Sequence, residues 1–288
     1  MTSVIFYARL SKYDFHLFRS PGSGLGNLLF PWARAVVCHA NSDGHLISPT
    51  WRNIKLGPWL RGEADKRTYG DVFKHRPLVK WLQDLKIKAT RPREISEHEY
   101  YDFIGIGNPA SPVSKPTLVV FEGMAGYFSD IAGHEDLIRS TLRQECRIPV
   151  EQAPAHIAVH VRLSDFVTAA AGANQTYSRN TRVDLEWYES EIRRVKERYR
   201  DLPVRVYTDD RECPGVRKLA SDEGASVVTP TNALVDMLKM SEATHIVLSA
   251  STFSLWAAFL SKATVSATFR ELFDDYGLRS AEFDSRII

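Results

Sequence analysis

His245-Ile246-Val247-Leu248-Ser249-Ala250-Ser251-Thr252-Phe253-Ser254-Leu255-Trp256 passes from a short apolar run, through a turn of small residues, into an apolar helix that also holds Phe259 and Leu260. The run is short enough for a buried strand, and the spacing after it is helical. The serines and Thr252 offer hydroxyls and free backbone N–H groups at a helix start. Such a turn is both a good diphosphate cradle and an ordinary N-cap. A second strand–turn–helix stands near the start of the chain. Phe15 to Phe18 reads as a strand and Pro21 to Gly26 as a break. Leu28, Leu29, Trp32, Ala35 and Val36 then recur at helical spacing. Asn27 is placed to cap that helix, and Pro31 falls in its first turn or just beyond.

The segments between continue the alternation. Leu118–Phe121, Ile157–Val161, Val204–Tyr207 and Ser226–Val228 read as strands, and 136–147, 184–200, 217–223 and 233–242 as helices. Strands alternating with helices predict an α/β fold with parallel sheets covered on both faces. Pro149, Glu151, Gln152 and Pro154 interrupt the pattern, so the expected domains are 1–150 and 151–288. Residues 91–116, rich in Pro, Gly and Ser, read as loops of the first half. Ligands of such sheets bind outside the carboxyl ends of strands. With two halves, the expected site is the cleft between them.

Composition narrows the class. The 288 residues are 44% hydrophobic and 25% charged, which suits a globular protein whose core needs no disulfides. A net charge of +2 argues neither for nucleic-acid partners nor for a polybasic anchor. Residues 1–150 carry +5 and residues 151–288 carry −3. That asymmetry is either sampling noise or a cleft facing an anion. Cys38, Cys146 and Cys213 lack metal-ligand spacing and read as reduced cytosolic thiols. No apolar stretch of about 18 residues and no export signal is visible. The expectation is a cytoplasmic protein without an integral membrane segment, with room for peripheral attachment through the basic first half.

Five further features carry chemistry. Gly24-Leu25-Gly26-Asn27 lets backbone N–H groups approach a phosphate at a helix start, or is a plain turn. His160-Val161-Arg162-Leu163-Ser164-Asp165 ends a strand, and alternation puts His160 and Arg162 on one face. Arg162 could fork onto phosphate oxygens or pair with Asp165. Asp209 and Asp210 follow a strand, where carboxylates accept from sugar hydroxyls or cap a helix. Ser251, Thr252 and Phe253 open the last helix. Asp236, on a helix with Met237, Leu238 and Met240, is either a solvated charge or an acceptor for N1–H and the N2 amino group of guanine. Adenine lacks those donors.

Taken in order, these motifs resemble the α-1,2-fucosyltransferases and their relatives, inverting GT-B enzymes that use GDP-fucose. Gly24 to Phe30 looks like the family's GLGNQLF start, and Gly126-Tyr127-Phe128 like its GY-aromatic segment. His160 to Asp165 resembles HxRRxD, Tyr207 to Asp210 resembles FSDD, and Ser251 to Trp256 resembles STFSWW. The resemblance spans roughly residues 22 to 262. It implies a GT-B fold of two Rossmann-like domains facing a cleft, an acceptor side in 1–150 and a donor side in 151–288.

By the same resemblance Arg162 binds the donor β-phosphate and His160 and Asp236 meet guanine. Ser251, Thr252 and Phe253 contact the diphosphate from the last loop, and Asn27, with Gly24 and Gly26, from the first. Asp209 or Asp210 lies near the donor. No metal and no other cofactor is implied, and the partners are a GDP-sugar and a glycan acceptor. Leu163 and Ser164 depart from the motif's second arginine and its glycine, and Pro31 stands where relatives often carry glutamine. Asp165, with Asp14, Glu122 and Asp130, is a candidate general base. Two other readings fit the same residues: a transferase with another nucleotide-sugar donor, and a non-catalytic nucleotide-sugar or glycan-binding protein.

Overall fold

The computed structural model describes residues 4–14, 18–20, 23–53, 60, 68–74, 77–105, 116–163, 167–168, 181–268, 271–278 and 282–283. They divide into two compact units, Met1–Ile138 and Arg139–Ile288. Each unit has its own parallel sheet.

The first unit runs β1 (Val4–Ala8), β2 (Tyr13–Asp14), β3 (Arg19–Ser20), α1 (Leu25–Ala40), β4 (His45–Ile47), α2 (Pro77–Thr90), β5 (Arg93–Ser96), α3 (Glu97–Gly105) and β6 (Thr117–Phe121). Its sheet has the order β4-β1-β6-β5, all parallel. β6, Thr-Leu-Val-Val-Phe, is buried at every position, as a parallel strand covered on both faces must be.

Three expectations change here. The sheet strand that precedes α1 is β1, with the antiparallel hairpin β2–β3 between them. Most of the 15–18 strand expected from the sequence lies outside the described residues. The cap of α1 is Gly24, in an extended conformation without a side-chain bond. Asn27 is instead the third helical residue, its N–H bonded to the Gly24 carbonyl at 3.1 Å. The helix starts early because Leu25 is itself core, 4% exposed. Asn27 is the one residue between Leu25 and Cys38 that is not buried. Pro31 therefore sits inside α1, where it removes the helical bond to the Asn27 carbonyl.

Residues 91–116 hold β5 and α3 rather than loops alone. Their junction is a capping box. Ser96 Oγ accepts from the Glu99 N–H at 3.2 Å, and the Glu99 carboxylate accepts from the Ser96 N–H at 2.8 Å.

The loop after β6 is held from α1. Arg34, 1% exposed, donates through Nε to Glu97 at 2.9 Å. Its Nη atoms donate to the carbonyls of Ala125 at 2.9 Å, Glu122 at 3.0 Å and Gly123 at 3.3 Å. The loop needs such a brace. Gly123 and Gly126 have φ of +70° and +62°, and Tyr127 adopts φ +45°, which costs a non-glycine residue of order 1 kcal/mol. A Cβ on Gly126 would run into the Asp130 carboxylate. Tyr127 and Phe128 then pack edge-on against Phe30 of α1.

The second unit is entered through α4 (Glu135–Glu145). It continues β7 (Ile157–Val161), β8 (Val167–Thr168), β9 (Thr181–Arg182), α5 (Leu185–Arg198), β10 (Val204–Thr208), α6 (Pro214–Asp222), β11 (Ser226–Val227), α7 (Ala233–Met240), β12 (His245–Val247), α8 (Thr252–Phe259), β13 (Thr264–Ser266), α9 (Glu271–Tyr276) and β14 (Glu282–Phe283). The main sheet is parallel throughout, with the order β11-β10-β7-β12-β13-β14. The chain builds outward from β7 through β10 to β11, then crosses back to β12 on the other side of β7. That is the doubly wound order of a Rossmann fold, with its switch point between β7 and β12.

Replacing Arg34 with Met leaves Glu97 and three loop carbonyls without their donor. The expected loss is about 3 kcal/mol of stability in denaturant titration. A loss below about 1 kcal/mol would mean that the loop carries its own conformation.

Candidate functional site

The switch point sets the site. Parallel strands β7 and β12 pair side by side, yet no connection joins their carboxyl ends, so the residues that follow them face a common opening. β7 delivers His160 and, just past its end, Arg162. β12 delivers Ser249, and the turn into α8 delivers Ser251, Thr252 and Phe253.

His160 is 4% exposed. Its Nδ1 lies 2.7 Å from Ser249 Oγ, and its ring meets Phe253 with centroids 5.1 Å apart and planes 31° apart. Burial pushes the imidazole's pKa down to about 3, with Arg162 adding to the shift and Asp209 opposing it. The ring is therefore neutral near pH 7, with one nitrogen a donor and the other an acceptor. His245 makes a useful contrast. It is fully buried, but Thr264 Oγ1 and Ser266 Oγ, each at 2.7 Å, engage both of its nitrogens. For His160, no described residue bonds Nε2.

Arg162 Nε pairs with Asp209 Oδ2 at 3.2 Å, both side chains being mostly buried. The other carboxylate oxygen, Oδ1, accepts from the Leu163 N–H at 2.9 Å. One aspartate at the end of β10 thus fixes both the guanidinium plane and the backbone after β7. Asp210, its neighbour, is exposed and accepts from the Glu212 N–H at 3.2 Å in a local turn. Of the two, Asp209 is the one that pairs with Arg162.

Leu163, the departure from the motif, works through its peptide. Its N–H goes to Asp209, and its carbonyl accepts from Arg182 Nε at 2.7 Å. Arg182, in β9, is a second guanidinium beside the Arg162 loop. Sequence reasoning missed it because nineteen positions separate it from Leu163 and no motif includes it.

Ser251 caps α8. Its Oγ accepts from the Ser254 N–H at 3.3 Å and lies 2.9 Å from Ser249 Oγ. Thr252 and Phe253 begin the helix and are half-buried. Asp236 sits in the first turn of α7, where it accepts from the Thr231 N–H at 3.3 Å. Burial raises its pKa to about 6, against the pull of that N–H and of Lys239. It is not a fully solvated helix charge. Its field reaches Tyr207, the cross-strand partner of His160.

The remaining selected residues belong to other elements. Gly24, Gly26 and Asn27 open α1 of the first unit, and a Cβ on Gly24 would meet only open space. Glu122 follows β6 at 3.8 Å from Arg9, and Asp130 is exposed in the 3-10 turn Ser129–Ile131. Asp165 and the Asp14 side chain lie outside the described residues. Among the described residues, no group of three or more His, Cys, Asp or Glu could hold a metal ion. Among them too, no helix is long and apolar enough to cross a membrane.

Comparison with known proteins adds the following. The family model "Glycosyl transferase family 11" matches residues 125–277. No curated protein sequence matches the chain. Among solved structures, POFUT1 in complex with GDP-fucose superposes with a TM-score of 0.50 at 11% identity, over 92% of this chain and 97% of that one. NodZ alpha-1,6-fucosyltransferase soaked with GDP-fucose gives 0.39 at 12% identity, over 91% and 93%. Selenomethionine NodZ from Bradyrhizobium gives 0.37 at 12%, over 91% and 93%. The likeness to POFUT1 is one of fold, and it agrees with the two parallel sheets seen here.

Asp209→Ala removes the acceptor of both Arg162 and Leu163 and should cost about 1–3 kcal/mol in denaturant titration. Asp210→Ala should stay within about 0.5 kcal/mol of wild type. Equal effects would show that Asp209 does not organise the loop.

Proposed function

We propose that this chain, which belongs to glycosyl transferase family 11 and is a glycosyltransferase, moves fucose from GDP-fucose to a glycan hydroxyl. The linkage is α-1,2 and the reaction inverts the anomeric centre, as the five motifs in register suggest. The observation that carries the reading is the gathering of His160, Arg162, Ser251 and Phe253 at the β7–β12 switch point, where an α/β sheet binds its ligand.

In this reading the base lies near His160, with its N1–H and N2 amino group on the Asp236 carboxylate. The diphosphate takes Arg162 and the first N–H groups of α8, capped by Ser251. The acceptor oxygen forms its bond to the anomeric carbon as the carbon–oxygen bond to the β-phosphate breaks, and the electron pair leaves with GDP. Negative charge grows on the β-phosphate, and Arg162 with the helix N–H groups stabilises it. The reading assigns no metal. It places the protein in the cytoplasm, in keeping with three free cysteines.

Arg162→Ala should fold and lose at least about a hundredfold in transfer rate. A folded variant with unchanged transfer would sink the mechanism. Calorimetric titration should give binding of GDP and GDP-fucose and weak binding of UDP, and the reverse order would overturn the guanine assignment.

A pH profile gives a second test. The buried Asp236 carboxyl becomes ionised only as the pH rises through about 6, so affinity for GDP-fucose should rise across that window. GDP-fucose is the right probe because its diphosphate, esterified at both ends, has no proton to lose there. Asp236→Asn should weaken binding and flatten the profile. The same raised pKa means that the folded state holds this proton more tightly than the unfolded chain does. Asp236's contribution to stability therefore falls as the pH rises from 3.8 to about 6.

A further inference from the structure

Three buried serine hydroxyls meet behind His160. Ser254 Oγ donates to the carbonyls of Ser249 at 2.9 Å and Ser251 at 3.1 Å, so its proton is committed to the backbone. Ser251 Oγ accepts from the Ser254 N–H, and its own proton can go to Ser249 Oγ at 2.9 Å or to Ser254 Oγ at 3.2 Å. Ser249 Oγ lies 2.7 Å from His160 Nδ1, 2.9 Å from Ser251 Oγ and 3.2 Å from Ser254 Oγ.

Each hydroxyl has one proton to give, so the arrangements fall into two classes, according to whether Ser249 or Nδ1 is the donor between them. In the first, Ser251 donates to Ser249 and Ser249 donates to Nδ1. Every proton then takes its shortest contact, at 2.9 Å and 2.7 Å. In the second, Nδ1–H donates to Ser249, whose own proton goes to Ser251 or to Ser254, and either way one hydroxyl is left with a 3.2 Å contact to Ser254 Oγ. The first direction uses the better bonds. It leaves Nδ1 as the acceptor and the proton on Nε2, the nitrogen that no described residue bonds.

We propose that Ser249 is a positioning residue that fixes the tautomer of His160, so that Nε2–H is presented as a donor that selects a 6-oxo purine over a 6-amino purine. The oxygen at position 6 of guanine accepts a hydrogen bond, whereas the amino group of adenine can only donate one. The selection by base rests on the donor reading above, while the tautomer itself does not.

The test uses the full chain labelled with 15N-histidine. Long-range 1H–15N correlation at pH 7 distinguishes the two neutral tautomers, and His160→Gln identifies the signals. Wild type is expected in the Nε2–H form, and Ser249→Ala should lose that preference. Ser249→Thr, which keeps the hydroxyl, should restore it. If Ser249→Ala does not fold, Ser249→Cys supplies the same comparison with a weaker donor. An Nδ1–H form in wild type, or a tautomer unmoved by loss of the hydroxyl, overturns the proposal.

Calorimetry with GDP and ADP is the second arm. Ser249→Ala should bind GDP about tenfold more weakly, with ADP little changed and Ser249→Thr close to wild type. GDP affinity that is equal in all three proteins also overturns the proposal. If wild type binds no GDP at all, the donor reading fails, and the ligand-free spectra still decide the tautomer.

Discussion

Two parallel strands that lie side by side cannot be joined by a tight turn, and the second sheet is organised by that constraint. Each step from β7 to β10 to β11 needs a crossover helix, and the return to β12 needs another. The return leaves β7 and β12 paired from His245↔Ile157 to Val247↔Val159, with their carboxyl ends open. Everything else at the site depends on this opening. Polar side chains stand at strand ends, where the sheet stops supplying backbone partners, and the helix that follows β12 starts at the same place.

Polar groups this far inside are tolerable only if they are saturated or neutral. The two units solve the problem differently. In the first, the Arg34 guanidinium is surrounded by one carboxylate and three carbonyls. In the second, His160 gives up its charge, while Arg162 is paired with Asp209. His245 shows what a purely structural histidine looks like in the same sheet: a ring of the same type, equally deep, with both nitrogens engaged. Burial therefore does not separate the two histidines. The partners of their nitrogens do.

Much of this was legible in the residues. The runs 118–121, 157–161 and 204–207 are strands within a residue or so, and in the first two burial on both faces leaves no exposed alternation to blur the pattern. The turn 249–254 announced its helix for a local reason, the serine cap. What was hidden depends on contacts between distant residues. Arg93 to Ser96 is mostly exposed and charged, and it is a strand because β6 pairs with it. Its capping box with Glu99 was a local signal that a reading centred on Pro and Gly passed over. Asp209 and Asp210 look equivalent in sequence, and only the position of Arg162 tells them apart. Arg182 and the role of Ser249 likewise follow from the fold.

Leu163 has a consequence for how such chains are recognised. Its side chain replaces an arginine of the motif it resembles, yet the position is held by its N–H on Asp209 and by its carbonyl under Arg182. Any residue except proline can make those two bonds, so the loop places little demand on the letter written there. A search pattern that insists on arginine at that column would pass over this chain, while one anchored on His160, Arg162 and the aspartate that ends β10 would keep it.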